Sequence, residues 1–176
     1  MARRASISRK TKETQISITF DPDGSGSADI STGIPFFDHM LTAFTVHGAF
    51  DLEINASGDL DVDFHHTVED IGLVMGQVLA KALSQGGATA RFGDYCVPMD
   101  EALSRVTIDL SNRPYLVYNF PDNLKVNAPF DAYLAKEFFQ AFSVQGAFNL
   151  HINTYYGVNE HHALESIFKA FGRSLH

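Results

Sequence analysis

Two segments of the sequence carry the pattern His-His-x-x-Glu, one at residues 65–69 and the other at residues 161–165. On an α-helix, residues four apart lie on the same face, so the first histidine and the glutamate of each segment can hold one metal ion together. Two imidazoles and a carboxylate suit a borderline divalent ion such as Mn²⁺, Fe²⁺ or Zn²⁺ better than Ca²⁺. The candidate ligands from these segments are His65, His66, Glu69, His161, His162 and Glu165.

The second histidine of each segment faces a different direction from the first. On a helix, His66 is turned by about 100° from His65, and His162 is turned likewise from His161. These two side chains are therefore free to bind the other ion, or an ion shared with another subunit. No cysteine accompanies either segment, which argues against a closed structural zinc site.

The two segments belong to an internal repeat. Residues 39–55 and 137–153 are identical at nine of 17 positions at an offset of 98 residues, and the two His-His-x-x-Glu segments lie 96 residues apart. His39 and its repeat partner Glu137 can both bind a metal, which gives four candidate ligands for each ion. His47 lies two turns after His39 on the same helical face. It either contacts a substrate or stabilises a helix C-terminus through the macrodipole.

The repeated unit reads as strands followed by helices, which predicts an α+β fold built by internal duplication. The elements expected from apolar periodicity and turn residues are strands at 15–20, 27–31, 50–56, 103–110, 115–120 and 148–154, and helices at 36–46, 65–83, 132–144 and from about 160. Gly48 is expected to end the first helix, and the first two strands of each half to lie side by side across a turn. No low-complexity linker interrupts the chain, so residues 1–176 are expected to form one domain of two halves, roughly 1–88 and 89–176, that share a core.

The composition limits the classes of function that fit. The formal net charge is -8, which excludes non-specific binding to nucleic acid and requires a local basic cluster for any anionic ligand. The single cysteine, Cys96, excludes an internal disulfide. The sequence shows neither a signal peptide nor an apolar run long enough to cross a membrane. We therefore expect a soluble cytoplasmic protein with no membrane or nucleic-acid partner.

Further motifs surround the two histidine segments. They are Gly-Ile-Pro-Phe-Phe-Asp-His-Met-Leu at 33–41, Phe-His-His-Thr-Val-Glu-Asp at 64–70, Arg-Phe-Gly at 91–93, Pro-Met-Asp-Glu at 98–101, Ser-Asn-Arg-Pro at 111–114, and His-His-Ala-Leu-Glu followed by Phe-Lys-Ala-Phe at 161–171. Over essentially its whole length, the sequence resembles the imidazoleglycerol-phosphate dehydratase family of histidine biosynthesis. Two His-His-x-x-Glu segments with an intervening Pro-Met-Asp-Glu make this resemblance highly specific.

The resemblance implies a fold, an assembly and a cofactor. The family fold is a duplication of the type found in ribosomal protein S5 domain 2, which agrees with the internal repeat. Family members form a shell of roughly 24 subunits with metals between neighbours, and they use two Mn²⁺ ions per active site, although another divalent metal is possible. The ligands that the resemblance implies are His39, His65, His66, Glu69, His161, His162 and Glu165.

The resemblance also implies a reaction and the residues that serve it. Imidazole glycerol phosphate is dehydrated to imidazole acetol phosphate, with metals lowering the cost of an imidazolate. Glu13 matches a contact to the substrate glycerol and is the first candidate for acid–base catalysis, ahead of Asp100 and Glu101. The matching phosphate contacts are Arg91, Arg113 and Lys169. The full set of catalytic candidates is Glu13, His39, Glu69 and Glu165.

The sequence departs from the family pattern in two places. Glu137 stands where the family usually has histidine, and the family's C-terminal tail with a Ser-Lys pair has no counterpart before His176. Two other functions are therefore considered. One is a non-catalytic or truncated metal-assembled oligomer of the same fold. The other is a two-metal hydrolase or oxygen-activating enzyme, which the strand content disfavours because di-iron carboxylate proteins are helical bundles.

Overall fold

The computed structural model describes residues 3–121, 124 and 130–176. Within these ranges the chain forms the sequence of elements β-β-β-α-β-α twice. The elements of the first half are β1 (Ala5–Lys10), β2 (Thr14–Asp21), β3 (Ala28–Ser31), α1 (Pro35–Gly48), β4 (Asp51–Gly58) and α2 (His65–Leu83). Those of the second half are β5 (Phe92–Met99), β6 (Ala102–Asp109), β7 (Tyr115–Asn119), α3 (Ala132–Gly146), β8 (Asn149–Tyr156) and α4 (Glu160–Leu175).

The strands form two four-stranded sheets of the same topology, with orders β1-β2-β4-β3 and β5-β6-β8-β7. In each sheet the first three strands of that order are antiparallel neighbours, and the last strand runs parallel to its neighbour. The α+β fold with a duplicated unit is therefore confirmed.

The pairing of β3 and β7 differs from the expectation that each follows its predecessor as an antiparallel neighbour. Both strands pair in parallel with the later strand of their half, β3 with β4 and β7 with β8. In the first half the reason lies in the loop before β3. The carboxylate of Asp51 at the start of β4 accepts hydrogen bonds from the backbone N–H groups of Ser25 and Ser27. These bonds hold the loop against β4 and carry β3 to its far side.

The edge strands β1 and β5 were not expected from the sequence. Strand β1 exposes the polar residues Ser6, Ser8 and Lys10, whereas β5 contains mostly apolar residues but has most of its side chains exposed. An edge strand covers only part of the core, so its hydrophobic alternation is weak, and charged residues there discourage pairing with other chains. Periodicity therefore gave little signal for either strand.

The four helices lie between the two sheets and run in the same direction. Helix α2 packs against α3 and covers the first sheet, whereas α4 packs against α1 and covers the second. Phe37 in the first turn of α1 contacts Phe138 in the middle of α3, and Phe44 further along α1 contacts Phe142 further along α3. All four N-termini consequently lie at one end of the bundle, together with the tips of the β1–β2 and β5–β6 hairpins.

Glycines allow the paired helices to approach closely. A Cβ atom on Gly76 of α2 would lie 2.6 Å from the carbonyl oxygen of Phe142 and from the backbone nitrogen of Gly146 in α3. Gly172 of α4 faces the backbone of α1 in the same way. Gly48 is the last residue of α1, as expected. The ring of Phe50 occupies the space that a side chain at Gly48 would need, and the next residue, Ala49, takes the left-handed conformation (φ 55°).

One hydrophobic core joins buried residues of both halves, with phenylalanines at its centre. Phe168 and Phe171 of α4 are fully buried and contact phenylalanines of α1 and α3. Such ring pairs stabilise the packing beyond the area that they bury. Within the described ranges, no helix has the length and apolar character needed to cross a bilayer.

We expect Gly76→Ala to destabilise the fold. Alanine favours a helix over glycine by about 1 kcal/mol, but overpacking against a neighbouring element costs about 1–3 kcal/mol. The cost of overpacking is the larger of the two here, because the added Cβ would meet backbone atoms of α3 and the two helices would have to separate. Urea unfolding measures the change against Gln140→Ala on the exposed face of α3. Unchanged stability of Gly76→Ala would contradict the close packing.

Candidate metal centre

Two of the expected ligands on α4 meet His39 of α1 at the end of the bundle where the helices begin. His161 Nε2 lies 3.1 Å from Glu165 Oε2, and His39 Nε2 lies 3.4 Å from the same oxygen. One ligand atom from each of the three side chains lies within 4.8 Å of the others, and the described residues contain no second group of this kind. We call these three residues the α1–α4 site.

The histidine segments are placed by the residues just before them. The side chain of Asn159 accepts a hydrogen bond from the backbone N–H of His161 at 2.9 Å and caps α4. Asp63 accepts in the same way from the N–H of His65 at 2.8 Å, two residues on. Side-chain acceptors at these positions satisfy N–H groups that a helix leaves unpaired at its start. Each segment therefore begins its helix, with its ligands in the first two turns.

Lys169 holds the glutamate of the α1–α4 site. Its Nζ lies 2.8 Å from Glu165 Oε1, so the two oxygens of this carboxylate face the lysine on one side and the two histidines on the other. Burial raises the pKa of Glu165, but the hydrogen bond and charge of Lys169, helped by His39, outweigh burial and leave the pKa below its usual value. Glu165 is therefore ionised at neutral pH.

His47, an expected substrate contact, lies exposed in the last turn of α1. Partial burial lowers the pKa of His47, and the positive charges of Lys169 and Arg173 lower it further. His47 therefore lies on the α4 side of α1 and is neutral at pH 7. Its role, as a substrate contact or in stabilising the helix C-terminus, stays a prediction.

The related pair on α2 is His65 and Glu69, with His65 Nε2 3.4 Å from Glu69 Oε2. The ring of Tyr133 in α3 stacks on His65 at 6.2 Å between centroids. Glu137 follows Tyr133 by one helical turn and so faces the turn of α2 that carries Glu69. Among the described residues, its carboxylate does not complete a three-ligand group with these two. We call His65, Glu69 and Glu137 the α2–α3 site, and the ligand role of Glu137 stays a prediction.

The second histidines of the two segments point away from their own sites. His66 Nδ1 lies 3.0 Å from Asp59 Oδ2, and His162 Nδ1 lies 2.7 Å from Glu101 Oε2. A carboxylate on Nδ1 fixes the ring orientation and leaves Nε2 as the nitrogen that can bind a metal. This orientation is compatible with the predicted ligand roles of His66 and His162, which stay predictions.

Glu101, at the tip of the β5–β6 hairpin, is more than an ordinary polar strand end. It accepts hydrogen bonds from the backbone N–H groups of Val158 and Asn159, at 3.1 and 2.7 Å, in addition to its contact with His162. These bonds, with the His162 contact first, lower the pKa of Glu101 to about 2. Its neighbour Asp100 has a left-handed backbone (φ 46°) and lies 3.7 Å from His162 Nε2.

Glu13 lies at the tip of the β1–β2 hairpin, at the same end of the molecule. Thr11 closes this turn by accepting from the backbone N–H groups of Glu13 and Thr14. The hydrogen bond to Asp59 is the main cause that raises the pKa of His66, and the charge of Glu13 adds to it. Glu13 is exposed, and among the described residues its carboxylate makes no hydrogen bond or ion pair. It is therefore available to an incoming ligand.

The three expected phosphate contacts do not meet within one chain. Lys169 lies at the α1–α4 site, whereas Arg91 and Arg113 both pair with Asp109, at 2.7 and 3.6 Å. Asp109 ends β6, whose other end carries the Glu101 tip. An eight-residue antiparallel strand spans roughly 24 Å, so the two arginines lie at the opposite end of the molecule from Lys169.

A family model described as imidazoleglycerol-phosphate dehydratase matches residues 32–175, which include every histidine described above. The chain belongs to the imidazoleglycerol-phosphate dehydratase family. The imidazoleglycerol-phosphate dehydratase of Desulfosudis oleivorans is 55% identical over 175 residues, which cover 99% of this chain and 90% of that protein. That of Desulfotalea psychrophila is 53% identical over 173 residues, which cover 98% of this chain and 87% of that protein.

Solved structures of imidazoleglycerol-phosphate dehydratases share the fold. The Staphylococcus aureus structure matches with a TM-score of 0.86 and 40% identity, over 98% of this chain and 95% of that one. The Pyrococcus furiosus structure matches with a TM-score of 0.85 and 36% identity, over 96% and 90% of the two chains. The resemblance seen in the sequence is thereby confirmed, and the protein is a hydro-lyase of the imidazoleglycerol-phosphate dehydratase family.

Sequence reasoning missed the role of Asp59. This carboxylate lies in the loop before α2 and outside the His-His-x-x-Glu pattern, and its repeat counterpart Tyr155 is not an acid. No spacing rule connects it to His66, because the contact depends on how the loop after β4 folds back over the start of α2. In the second half the corresponding contact comes from another element, the hairpin that carries Glu101.

The hydrogen bonds of Glu101 predict a particular dependence of stability on pH. Because its pKa is lowered in the folded state, its contribution is complete above its ordinary pKa and disappears as pH falls from about 4.5 to about 2. We expect Glu101→Gln to lower the melting temperature of the metal-free protein at pH 6, with the difference from wild type closing across this window. Asp29→Asn, an exposed carboxylate of β3, is the control. A difference that is constant with pH would contradict the role given to Glu101.

Proposed function

We propose that this protein catalyses the metal-dependent dehydration of imidazole glycerol phosphate to imidazole acetol phosphate in histidine biosynthesis, with two Mn²⁺ ions per active site. The observation that carries the proposal is the convergence of His39, His161 and Glu165 in a member of this family. The family supplies the substrate and the class of reaction, and the site supplies the reason for a metal.

The donor set fits a divalent ion. The α1–α4 site offers two imidazole nitrogens and an ionised carboxylate oxygen within the span of one small ion. The α2–α3 site offers His65 and Glu69 at 3.4 Å, and we propose Glu137 on α3 as its third ligand. His66 and His162 each have Nδ1 paired with a carboxylate, which leaves Nε2 as the nitrogen for a further ligand position on an ion held elsewhere.

When bound, such ions supply Lewis-acid stabilisation of negative charge on the substrate's imidazole ring. The elimination also needs a group that moves protons, and we assign this role to Glu13. It lies at the ligand end of the molecule, is exposed, and is unpaired among the described residues, whereas Glu165 is engaged by Lys169 and two histidines. Glu69 and Glu165 are therefore assigned as ligands, and Glu13 as the acid–base group.

The phosphate of the substrate requires positive charge on a protein of net charge -8. Lys169 is the basic residue beside the α1–α4 site, and its ammonium binds a phosphate as a point charge. Arg91 and Arg113 can bind the same phosphate only if they come from another copy of the chain, because they lie at the far end of β6. We infer that the active site forms between subunits of a homo-oligomer.

We expect Glu165→Gln and His161→Ala to abolish turnover. Each removes a donor from the α1–α4 site, and a lost ligand costs more than the roughly 10–100-fold effect of an outer-shell change. The assay measures imidazole acetol phosphate formed by Mn²⁺-loaded protein, with a chelator-treated sample beside it. His151→Ala is the matched control, because His151 is exposed on β8 outside both sites.

Full activity of chelated wild-type protein would contradict metal dependence. Stoichiometric Mn²⁺ binding by wild-type protein without turnover would instead contradict the dehydratase proposal. That second result would favour a metal-assembled oligomer without catalysis.

Complementation tests the proposed origin of the phosphate contacts. Lys169→Ala and Arg91→Ala are each expected to raise KM for the phosphorylated substrate strongly. If the two residues serve one site from different subunits, co-assembled mixtures contain some sites with both side chains intact and regain part of the activity. Mixtures that were dissociated and reassembled are compared with unmixed samples treated alike. Activity no higher than the mean of the two variants would contradict a site shared between subunits.

A further inference from the structure

The two metal sites occupy equivalent places in the repeat but differ in chemistry. His39 of the α1–α4 site corresponds to Glu137 of the α2–α3 site at the offset of 98. Lys169, which holds Glu165, corresponds to Leu73 at the offset of 96. An imidazole has thus become a carboxylate in one site, and an ammonium is present in only one of them.

Both differences make the α2–α3 site more negative than the α1–α4 site. With neutral imidazoles, the α1–α4 site contains one carboxylate, and the ammonium of Lys169 at 2.8 Å cancels its charge. The α2–α3 site contains Glu69 and Glu137, and among the described residues no lysine or arginine lies within 4.0 Å of either carboxylate. The formal charge is therefore about zero in the first site and -2 in the second.

The ligand atoms favour different metals. Carboxylate oxygen suits hard ions such as Mn²⁺ and Mg²⁺, whereas imidazole nitrogen suits Zn²⁺. Attraction between a divalent ion and its site also grows with the charge of the ligands. The α1–α4 site offers two nitrogens and one oxygen donor, and the α2–α3 site offers one nitrogen and two carboxylates.

We propose that the two sites are inequivalent: the α2–α3 site binds Mn²⁺ first and more tightly, and the α1–α4 site binds Mn²⁺ weakly and has the greater preference for Zn²⁺. The proposal rests on the proposed function in that both sites hold metal. It adds an order of loading and a difference in selectivity, and it assigns both to Glu137 and Lys169.

The arrangement of the ligands before metal binds favours the opposite order of loading. The ligands of the α1–α4 site already lie together, whereas those of the α2–α3 site do not form such a group among the described residues. However, the gathered arrangement depends partly on Lys169, whose ammonium occupies one oxygen of Glu165 and repels a cation at the other. Glu137 is only half buried and makes no side-chain hydrogen bond among the described residues, so its rotation costs little. We therefore expect the difference in charge between the two sites, rather than the arrangement of their ligands, to determine which site binds Mn²⁺ first.

The test is a titration of the metal-free protein with Mn²⁺, in which the electron paramagnetic resonance signal reports free Mn²⁺. We expect two classes of site whose dissociation constants differ at least about tenfold. Glu137→Gln, which removes the charge and keeps the size, should weaken the tight class at least about tenfold and leave the weak class unchanged. His39→Gln should remove the weak class alone. Glu53→Gln, an exposed carboxylate of β4, should change neither.

Two further measurements keep the outcome independent of any one variant. Lys169→Met should tighten the weak class, because the competing ammonium is gone. Zn²⁺ added to the fully Mn²⁺-loaded protein should displace Mn²⁺ first from the class that His39→Gln removes. Light scattering and circular dichroism identify any variant that fails to fold or assemble. The remaining variants then test whether the two metal sites are inequivalent.

The inequivalence would be overturned if all sites bound Mn²⁺ with the same affinity, or if Glu137→Gln left the affinity of the tight class unchanged. Either result would leave the proposed function standing. Displacement by Zn²⁺ from the tight class first would overturn the assigned selectivity. Wild-type protein that binds no Mn²⁺ would overturn the proposed function itself, and the inference with it.

Discussion

The close parallel packing of the helices determines where every functional side chain lies. Glycines at the α2–α3 and α1–α4 contacts remove the side chains that would hold the backbones apart, so Gly76 and Gly172 each face the backbone of the partner helix. Because the paired helices run in the same direction, residues early in one helix meet residues early in the other. His39 can therefore reach Glu165, and Tyr133 can stack on His65. If the paired helices were further apart, the side chains of the histidine segments would lie on the surface without partners.

The same arrangement concentrates charge. Four helix N-termini at one end of the bundle bring together four partial positive charges of roughly half a unit each. That field favours ionised carboxylates and a phosphate but opposes a metal cation. The negative charge of the acidic residues at this end offsets the repulsion between the helix N-termini and a cation. Two of these residues, Glu101 and Asp59, also orient the histidines. Lys169 and the helix ends then remain as attraction for an anionic ligand. The proposed binding of a metal and of a phosphate at this end therefore requires both acidic and basic side chains in a protein that is acidic overall.

The sequence was informative where contacts are local or repeated. The start of α2 at His65, the ends of most helices within two residues and the pairing of His161 with Glu165 all follow from periodicity and spacing. Sheet order was not predictable, because it depends on loops such as the one that Asp51 holds against β4. The contact between Asp59 and His66 was hidden for the same reason. Neither its spacing nor its residue type repeats in the second half.

The equal topology of the two halves has an evolutionary consequence. A half-length ancestor of this fold would bury its helices only by pairing with a second copy around a two-fold axis along the bundle, and every substitution would then appear twice. Fusion of the two copies into one gene removes that restriction. Leu73 and Lys169 show the result, since a leucine and a lysine occupy corresponding positions. Duplication followed by fusion thus allows two sites that were identical by symmetry to change independently of each other.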